Sequence, residues 1–184
     1  MICAVRAKSA AGLRPSAVTM NSLAPEELGR IQIAQECLRH GDAVKAAEQL
    51  KELRLESIND PTVLEIRWEI CAQDQQWEAA LEIGHALRET SPESRFGWLY
   101  EASSLIELNR AAVAFDLLVN AAERFPDDPV IPYNLTCCAC RLKRMPEASK
   151  WLAKAIELGG RAEIKLMALD DKDLAPMLDE ICAL

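Results

Sequence analysis

The chain's densest group of potential metal ligands or reactive thiols is Cys137, Cys138 and Cys140, three cysteines within four positions. A structural zinc site usually takes four ligands arranged as two closely spaced pairs. The sequence has no second pair, and its two histidines, His40 and His85, lie outside any metal-binding motif. Cysteine is often buried as a small apolar residue. We therefore predict a structural role for the cluster and no metal, with a thiol or metal site at Cys137 and Cys140 as the alternative.

Other catalytic patterns are missing from the sequence. We find no glycine-rich phosphate loop, no His-Glu-x-x-His segment and no nucleophile elbow. The carboxylates are scattered along amphipathic stretches, where a solvated helix face explains them. The sequence therefore predicts a protein that is not an enzyme and that needs no cofactor.

Charge and cysteine usage limit the partners and the compartment. The formal net charge of -8 argues against nucleic acid, which is held by clustered Lys and Arg. No apolar run approaches the roughly 18 residues that cross a bilayer, so we predict no membrane span. Seven cysteines without a paired framework, and no secretory signal, favour free thiols in a reducing compartment, and we predict a cytoplasmic protein.

The first twenty residues differ from the rest, because they contain Arg6, Lys8 and Arg14 and no acidic residue. We predict that residues 1–20 are a disordered tail or a mis-assigned start, with Met20 as the true initiator. A mitochondrial targeting segment is the alternative, since such segments are basic and poor in acids.

The remainder of the chain contains an internal repeat. In the equal blocks 27–60, 61–94, 95–128 and 129–162, one column is alanine in every block, and a helix breaker stands near the end of three blocks. Capping residues agree with this register, since Asp60-Pro61 and Asp128-Pro129 each place an N-cap residue before a proline. The alanine column consists of Ala46, Ala80, Ala114 and Ala148. The eight predicted helices are 26–39, 43–56, 61–73, 77–90, 95–108, 111–124, 129–142 and 145–158.

The block length of about 34 residues and the columns resemble the tetratricopeptide repeat (TPR) family. The block 95–128 carries the resemblance best, through Trp98, Ala102, Leu105, Ala114, Leu118, Ala121 and Pro126. The resemblance implies an all-α fold, a right-handed superhelical solenoid of antiparallel helix pairs. Residues 21–162 would form four repeats, and residues 163–184 would form C-terminal capping helices that cover the last apolar face.

One repeat departs from the pattern. Trp68 stands where a small residue is expected, and Gly84 stands where a large one is expected. We predict that the two departures offset each other, with the indole filling the space left at Gly84.

In this family the first helix of each pair lines a concave groove, and the resemblance therefore implies a set of groove residues. Within that set, aromatic and apolar side chains form one group and Glu65 and Glu69, one helical turn apart, form an acidic group. Interhelix packing is the alternative for Phe96 and Leu99, and a solvated face is the alternative for the two glutamates. The set is Gln35, Glu65, Glu69, Phe96, Leu99, Tyr100, Ser103, Tyr133, Asn134, Cys137 and Arg141.

This lining predicts a non-catalytic scaffold or adaptor that binds an apolar or basic segment of another protein in the groove. It disfavours a cochaperone that clamps an acidic C-terminus, because carboxylates in the groove would repel it. A chaperone similar to the TPR type III secretion chaperones is the alternative. The oligomeric state is not determined by the sequence.

Overall fold

The computed structural model describes residues 23–183, so the predictions for residues 1–20 lie outside the described residues. Every regular element between residues 23 and 183 is helical. The α-helices are α1 (Pro25–Arg39), α2 (Ala43–Lys51), α3 (Pro61–Gln73), α4 (Trp77–Thr90), α5 (Arg95–Glu107), α6 (Ala111–Arg124), α7 (Val130–Arg141), α8 (Met145–Gly159), α9 (Arg161–Leu169) and α10 (Leu178–Ala183). Two 3-10 helices occupy Leu55–Ser57 and Lys172–Met177.

The described chain divides into two compact units, with the boundary inside α5. The N-terminal unit comprises residues 23–104 and the C-terminal unit residues 105–183. In the N-terminal unit, α1 packs against α2 and α3 packs against α4. In the C-terminal unit, α7 packs against both α6 and α8. Each of these helices therefore buries its apolar side against a neighbour in the chain.

The alanine column lies in the core. Ala46, Ala80, Ala114 and Ala148 are all completely buried. A methyl group lets two helix backbones approach, whereas a larger side chain in a filled core costs about 1–3 kcal/mol. Packing therefore explains why this position is alanine in all four repeats.

The turn inside each repeat follows the same period in its backbone geometry. Gly41, Gln75, Asn109 and Lys143 occupy the same position in successive repeats, and all have a positive φ, between 58° and 77°. The amide of the residue after each of them donates to a carbonyl five positions back, at 2.8–2.9 Å. This pattern closes the C-terminus of the preceding helix with a left-handed residue. Non-glycine residues occupy that conformation at three of the four turns.

The second helix ends earlier than predicted, at Lys51 and not at residue 56. The cause is Glu27, a carboxylate only 5 % exposed. It accepts hydrogen bonds from the amide of Arg54 (3.1 Å), the guanidinium of Arg54 (2.7 Å) and the hydroxyl of Ser57 (2.7 Å). These bonds draw residues 54–57 out of the helix and into a 3-10 turn. They also hold the pKa of Glu27 well below its usual range, with the Arg54 side chain as the largest contribution.

The prediction that Trp68 fills the space at Gly84 is wrong. A side chain at Gly84 would instead meet the backbone of α5, at 2.7 Å from the amide nitrogen of Glu101. Gly97 on α5 lies against the backbone of Arg88 on α4 in the same way. A Cβ added at Gly97 would lie 2.5 Å from the Cα of Arg88. The two glycines therefore let α4 and α5 pack backbone against backbone.

The C-terminal segment folds back onto the repeat before it. α9 packs on α8, and the 3-10 helix Lys172–Met177 packs on α7. The buried side chains of this segment are Ile164, Ala168, Leu174, Met177 and Ile181. None of the helices within residues 23–183 combines the length and the apolar character that a bilayer crossing requires.

Candidate functional site

An aromatic group joins α3 and α5 in the N-terminal unit. The rings of Trp68 and Tyr100 stack with centroids 4.1 Å apart and an angle of 6° between their planes. Phe96 lies 6.0 Å from Tyr100, tilted by 35°. The indole of Trp68 donates a hydrogen bond of 3.0 Å to the hydroxyl of Ser104, which itself donates to the carbonyl of Tyr100. Trp68 is therefore fixed by its neighbours on α5, which is why a large residue is accommodated there.

The acidic group lies beside these rings. Glu65 and Glu69 are both half-buried on α3, one turn apart. Burial, with Glu69 and then Asp60 nearby, raises the pKa of Glu65 to about 7. Burial and the same two glutamates raise the pKa of Tyr100 well above its usual range. No hydrogen bond or ion pair engages Glu65 within residues 23–183. The carboxyl of Glu65 therefore lacks a group that would stabilise its charge.

The predicted groove residues of the N-terminal unit differ in exposure. Leu99, Tyr100 and Ser103 are at most 2 % exposed, so these side chains belong to the core. Ser103 Oγ has no hydrogen-bond partner among the described residues, which is uncommon for a buried hydroxyl. The half-buried residues, which offer surface to a partner, are Gln35, Glu65, Glu69 and Phe96.

The predicted groove residues of the C-terminal unit lie on α7, and the protein's own C-terminal segment covers them. Tyr133, Asn134 and Cys137 are completely buried. The Tyr133 hydroxyl lies 3.0 Å from Oδ2 of Asp171 and 3.2 Å from the carbonyl of Met167. The structure brings these predicted residues together on α7. The segment that covers them was predicted only as a cap for the last repeat.

Arg141 completes the contact at the other end of α7. Its Nε lies 2.9 Å from Oδ1 of Asp173, and its Nη1 donates a 2.8 Å hydrogen bond to the carbonyl of Ile106. Cys137 donates to Oδ2 of Asp171 across 3.6 Å. Neither Asp171 nor Asp173 was predicted as a site residue. The adjacent Asp170 and Asp171 interrupt an apolar helical pattern, which was a signal for Asp171 but not for Asp173.

The cysteine cluster lies inside the C-terminal unit. Cys137, Cys138 and Cys140 are all buried, and all three are free thiols. Burial, with Asp173 and then Asp171 nearby, raises the pKa of Cys140 to about 11. Since the thiolate is the reactive and metal-binding form, this environment disfavours both chemistries. Among residues 23–183, no three His, Cys, Asp or Glu side chains are grouped as metal ligands.

Comparison with solved structures identifies the architecture. Residues 41 to the end of MamA from Desulfovibrio magneticus RS-1, a TPR protein, superpose with a TM-score of 0.66 at 18 % sequence identity. The match covers 89 % of this chain and 97 % of that one. The chain has the tetratricopeptide-repeat fold. This fold, predicted from the repeat period, is confirmed.

A second solved structure agrees with the first. The MamA RS-1 ArsTM double mutant matches with a TM-score of 0.66 and 18 % identity, over 88 % of this chain and 96 % of that chain. No family model and no curated protein sequence matches the chain. At this identity the likeness shows the fold alone. A fold by itself does not define a function.

Proposed function

We propose that this TPR protein is a non-catalytic scaffold that binds a segment of another protein carrying basic and apolar side chains. The binding surface is the face formed by Glu65 and Glu69 on α3 and Phe96 on α5. A cationic side chain of the partner would lie against the carboxylate of Glu65, and its apolar neighbours would contact the ring of Phe96.

The observation that carries this proposal is the half-buried carboxylate of Glu65, which has no cation beside it among residues 23–183. Desolvation without a compensating charge is unfavourable for an ionised group. A Lys or Arg from a partner would relieve it. The ring of Phe96, which already carries the Arg95 guanidinium 5.1 Å from its centroid, would offer apolar contact to the partner. Charge complementarity of this kind favours basic segments over acidic ones.

The proposal also covers catalysis, the cysteines and the compartment. We propose no catalytic role, because the sequence contains no glycine-rich phosphate loop, no His-Glu-x-x-His segment and no nucleophile elbow. The raised pKa of Cys140 argues against the thiol or metal alternative. A reducing, cytoplasmic location agrees with the free thiols of Cys37, Cys71 and Cys182.

The chaperone alternative predicts a stable dimer, which light scattering of the purified protein detects.

The test is a random-sequence peptide array probed with labelled full-length protein. Wild type is compared with the Glu65→Gln/Glu69→Gln variant, in which two carboxylates become neutral at almost constant shape. The matched control is Glu78→Gln/Glu82→Gln, because these two glutamates are also one turn apart but lie exposed on α4. Circular dichroism checks that all three proteins are folded.

We expect the peptides bound by wild type and by the control to be rich in Lys and Arg next to apolar residues. The Glu65→Gln/Glu69→Gln variant is expected to lose most of this signal, and added salt is expected to weaken binding to wild type. Bound peptides with no basic enrichment, or equal binding to all three proteins, would contradict the proposal.

A further inference from the structure

The face of α7 binds a short acidic segment within the same chain. The Tyr133 hydroxyl and the Arg141 side chain lie on the same helix, about two turns apart, and each engages one carboxylate of the C-terminal segment. The distances are 3.0 Å from Tyr133 to Asp171 and 2.9 Å from Arg141 to Asp173. Hydrogen bonds and ion pairs to ionised groups are among the stronger polar contacts, and they select for negative charge.

Apolar side chains hold the same segment in place. Leu174 is completely buried and Met177 is 2 % exposed, both within the 3-10 helix that packs on α7. The bound segment therefore carries two carboxylates at alternate positions, Asp171 and Asp173. Two apolar side chains follow them, Leu174 directly and Met177 one turn later. This combination of charge and spacing resembles a recognition motif more than a simple apolar cover.

The outer surface of the segment is mixed. Leu166 is 71 % exposed, Leu169 44 % and Leu178 40 %, and they lie among exposed charged side chains. The stretch that follows Asp171 is a six-residue 3-10 helix containing Pro176, and such helices have poorer hydrogen-bond geometry than α-helices.

We propose that the face of α7 is a second protein-binding site, which takes an acidic segment of a partner with this pattern, and that residues 171–177 occupy it in the free protein. The partner would place its two carboxylates against Tyr133 and Arg141 and its apolar side chains where Leu174 and Met177 lie. The site differs from the face with Glu65 and Glu69 in location and in the charge that it selects. Its affinity for a partner is reduced by the fraction of protein in which it is covered.

The test uses the synthetic peptide LDDKDLAPMLDEI, residues 169–181, with a fluorescent label. Fluorescence anisotropy measures its binding to full-length wild type and to the Asp171→Asn/Asp173→Asn variant, whose own segment is weakened without a change of shape. We expect the variant to bind the peptide at least about tenfold more tightly than wild type, because its site is more often open. A folded variant that binds the peptide no better than wild type would overturn the proposal.

Arg141 supplies the specificity test. In the Asp171→Asn/Asp173→Asn background, Arg141→Glu is expected to abolish binding of the peptide and to restore it for a peptide carrying Asp173→Arg. A purely apolar cover would show no such exchange of preference, and that result would also overturn the proposal. Neither readout involves Glu65 or Glu69, so failure here is distinguishable from failure of the proposed function.

Hydrogen exchange of the wild-type protein covers the case in which the variants do not fold. The proposal requires the segment to open while α7 stays folded. The amides of residues 172–177 are therefore expected to exchange at least about tenfold faster than those of residues 134–141. Equal protection of both stretches would show that they open only together, and the proposal would fail.

Discussion

Glu65 gives the sharpest prediction, because its burial connects the proposed binding face to the stability of the fold. Replacing it with glutamine keeps the size and removes the charge. The folded protein prefers the neutral form of this side chain, whose pKa rises from the ordinary value of 4.5 to about 7, mainly through burial and then through Glu69 and Asp60. Glutamine resembles the neutral form, so Glu65→Gln is expected to stabilise the protein wherever the wild-type carboxyl is ionised.

The sign of the change in stability with pH follows from proton binding to Glu65. Between pH 4.5 and 7 the folded state holds a proton on Glu65 that the unfolded state has lost, so the free energy of unfolding falls as pH rises. The rise of the pKa from 4.5 to about 7 corresponds to at most about 3.5 kcal/mol at pH 8, at about 1.4 kcal/mol per pKa unit. Solvent still reaches part of the side chain, so we expect a gain of about 1–2 kcal/mol for Glu65→Gln.

Urea unfolding at pH 4.5 and pH 8 measures this gain. Wild type and Glu65→Gln are expected to be nearly equal at pH 4.5 and to diverge at pH 8, with the variant more stable. Glu82→Gln, an exposed position on α4, serves as the control and is expected to change little at either pH. A variant that is no more stable than wild type at pH 8 would refute the assignment of Glu65 as a desolvated, uncompensated carboxylate.

Three further sets of substitutions test the fold. Gly97→Ala is expected to lower the free energy of unfolding by about 1–3 kcal/mol, since the added carbon meets the backbone of α4; Gly29→Ala, with open space at its Cβ, is expected to raise it by up to about 1 kcal/mol in the same thermal melt. Gln75→Gly is expected to add about 0.5–1 kcal/mol by relieving its positive φ of 58°, and an unchanged melting temperature would contradict that strain. The stabilisation contributed by Glu27, whose pKa is lowered, is present above pH 4.5 and is lost at lower pH, so Glu27→Gln is expected to destabilise the protein at pH 7 and less so at pH 3 in urea titrations.

The repeat and most helix ends could be predicted from the sequence because their signals are local. The side chain of Asp60 accepts from the amide of Thr62 at 2.9 Å, and that of Asp128 accepts from the amide of Val130 at 2.8 Å, as their positions before prolines indicated. All eight predicted helices begin within one residue of the observed start, and seven also end within one residue. The exception, α2, ends early because of Glu27, which lies 27 residues before Arg54 in the chain.

The exposure of the predicted groove residues could not be obtained from the period alone. Tyr100 was expected to offer its phenol to a partner, yet its ring lies under Trp68, which belongs to the preceding repeat. Tyr133 was expected to do the same, yet its hydroxyl meets Asp171, 38 residues later. In both cases a residue outside the local helix decides the burial. Their role in binding a partner stays a prediction, and the half-buried Glu65, Glu69 and Phe96 offer the more accessible surface.

The left-handed turn that recurs once in every repeat has a consequence for engineering the length of the array. The four turns share a positive φ at Gly41, Gln75, Asn109 and Lys143 and the same hydrogen bond to a carbonyl five positions back. We therefore expect the stretch between two equivalent turns to be an interchangeable module. Duplicating residues 76–109, for example, would join Asn109 to Gln76 with the same local geometry as the native junction. Lengthened variants of this kind would keep every later helix in register with the repeat period. An insertion of any other length would break that register.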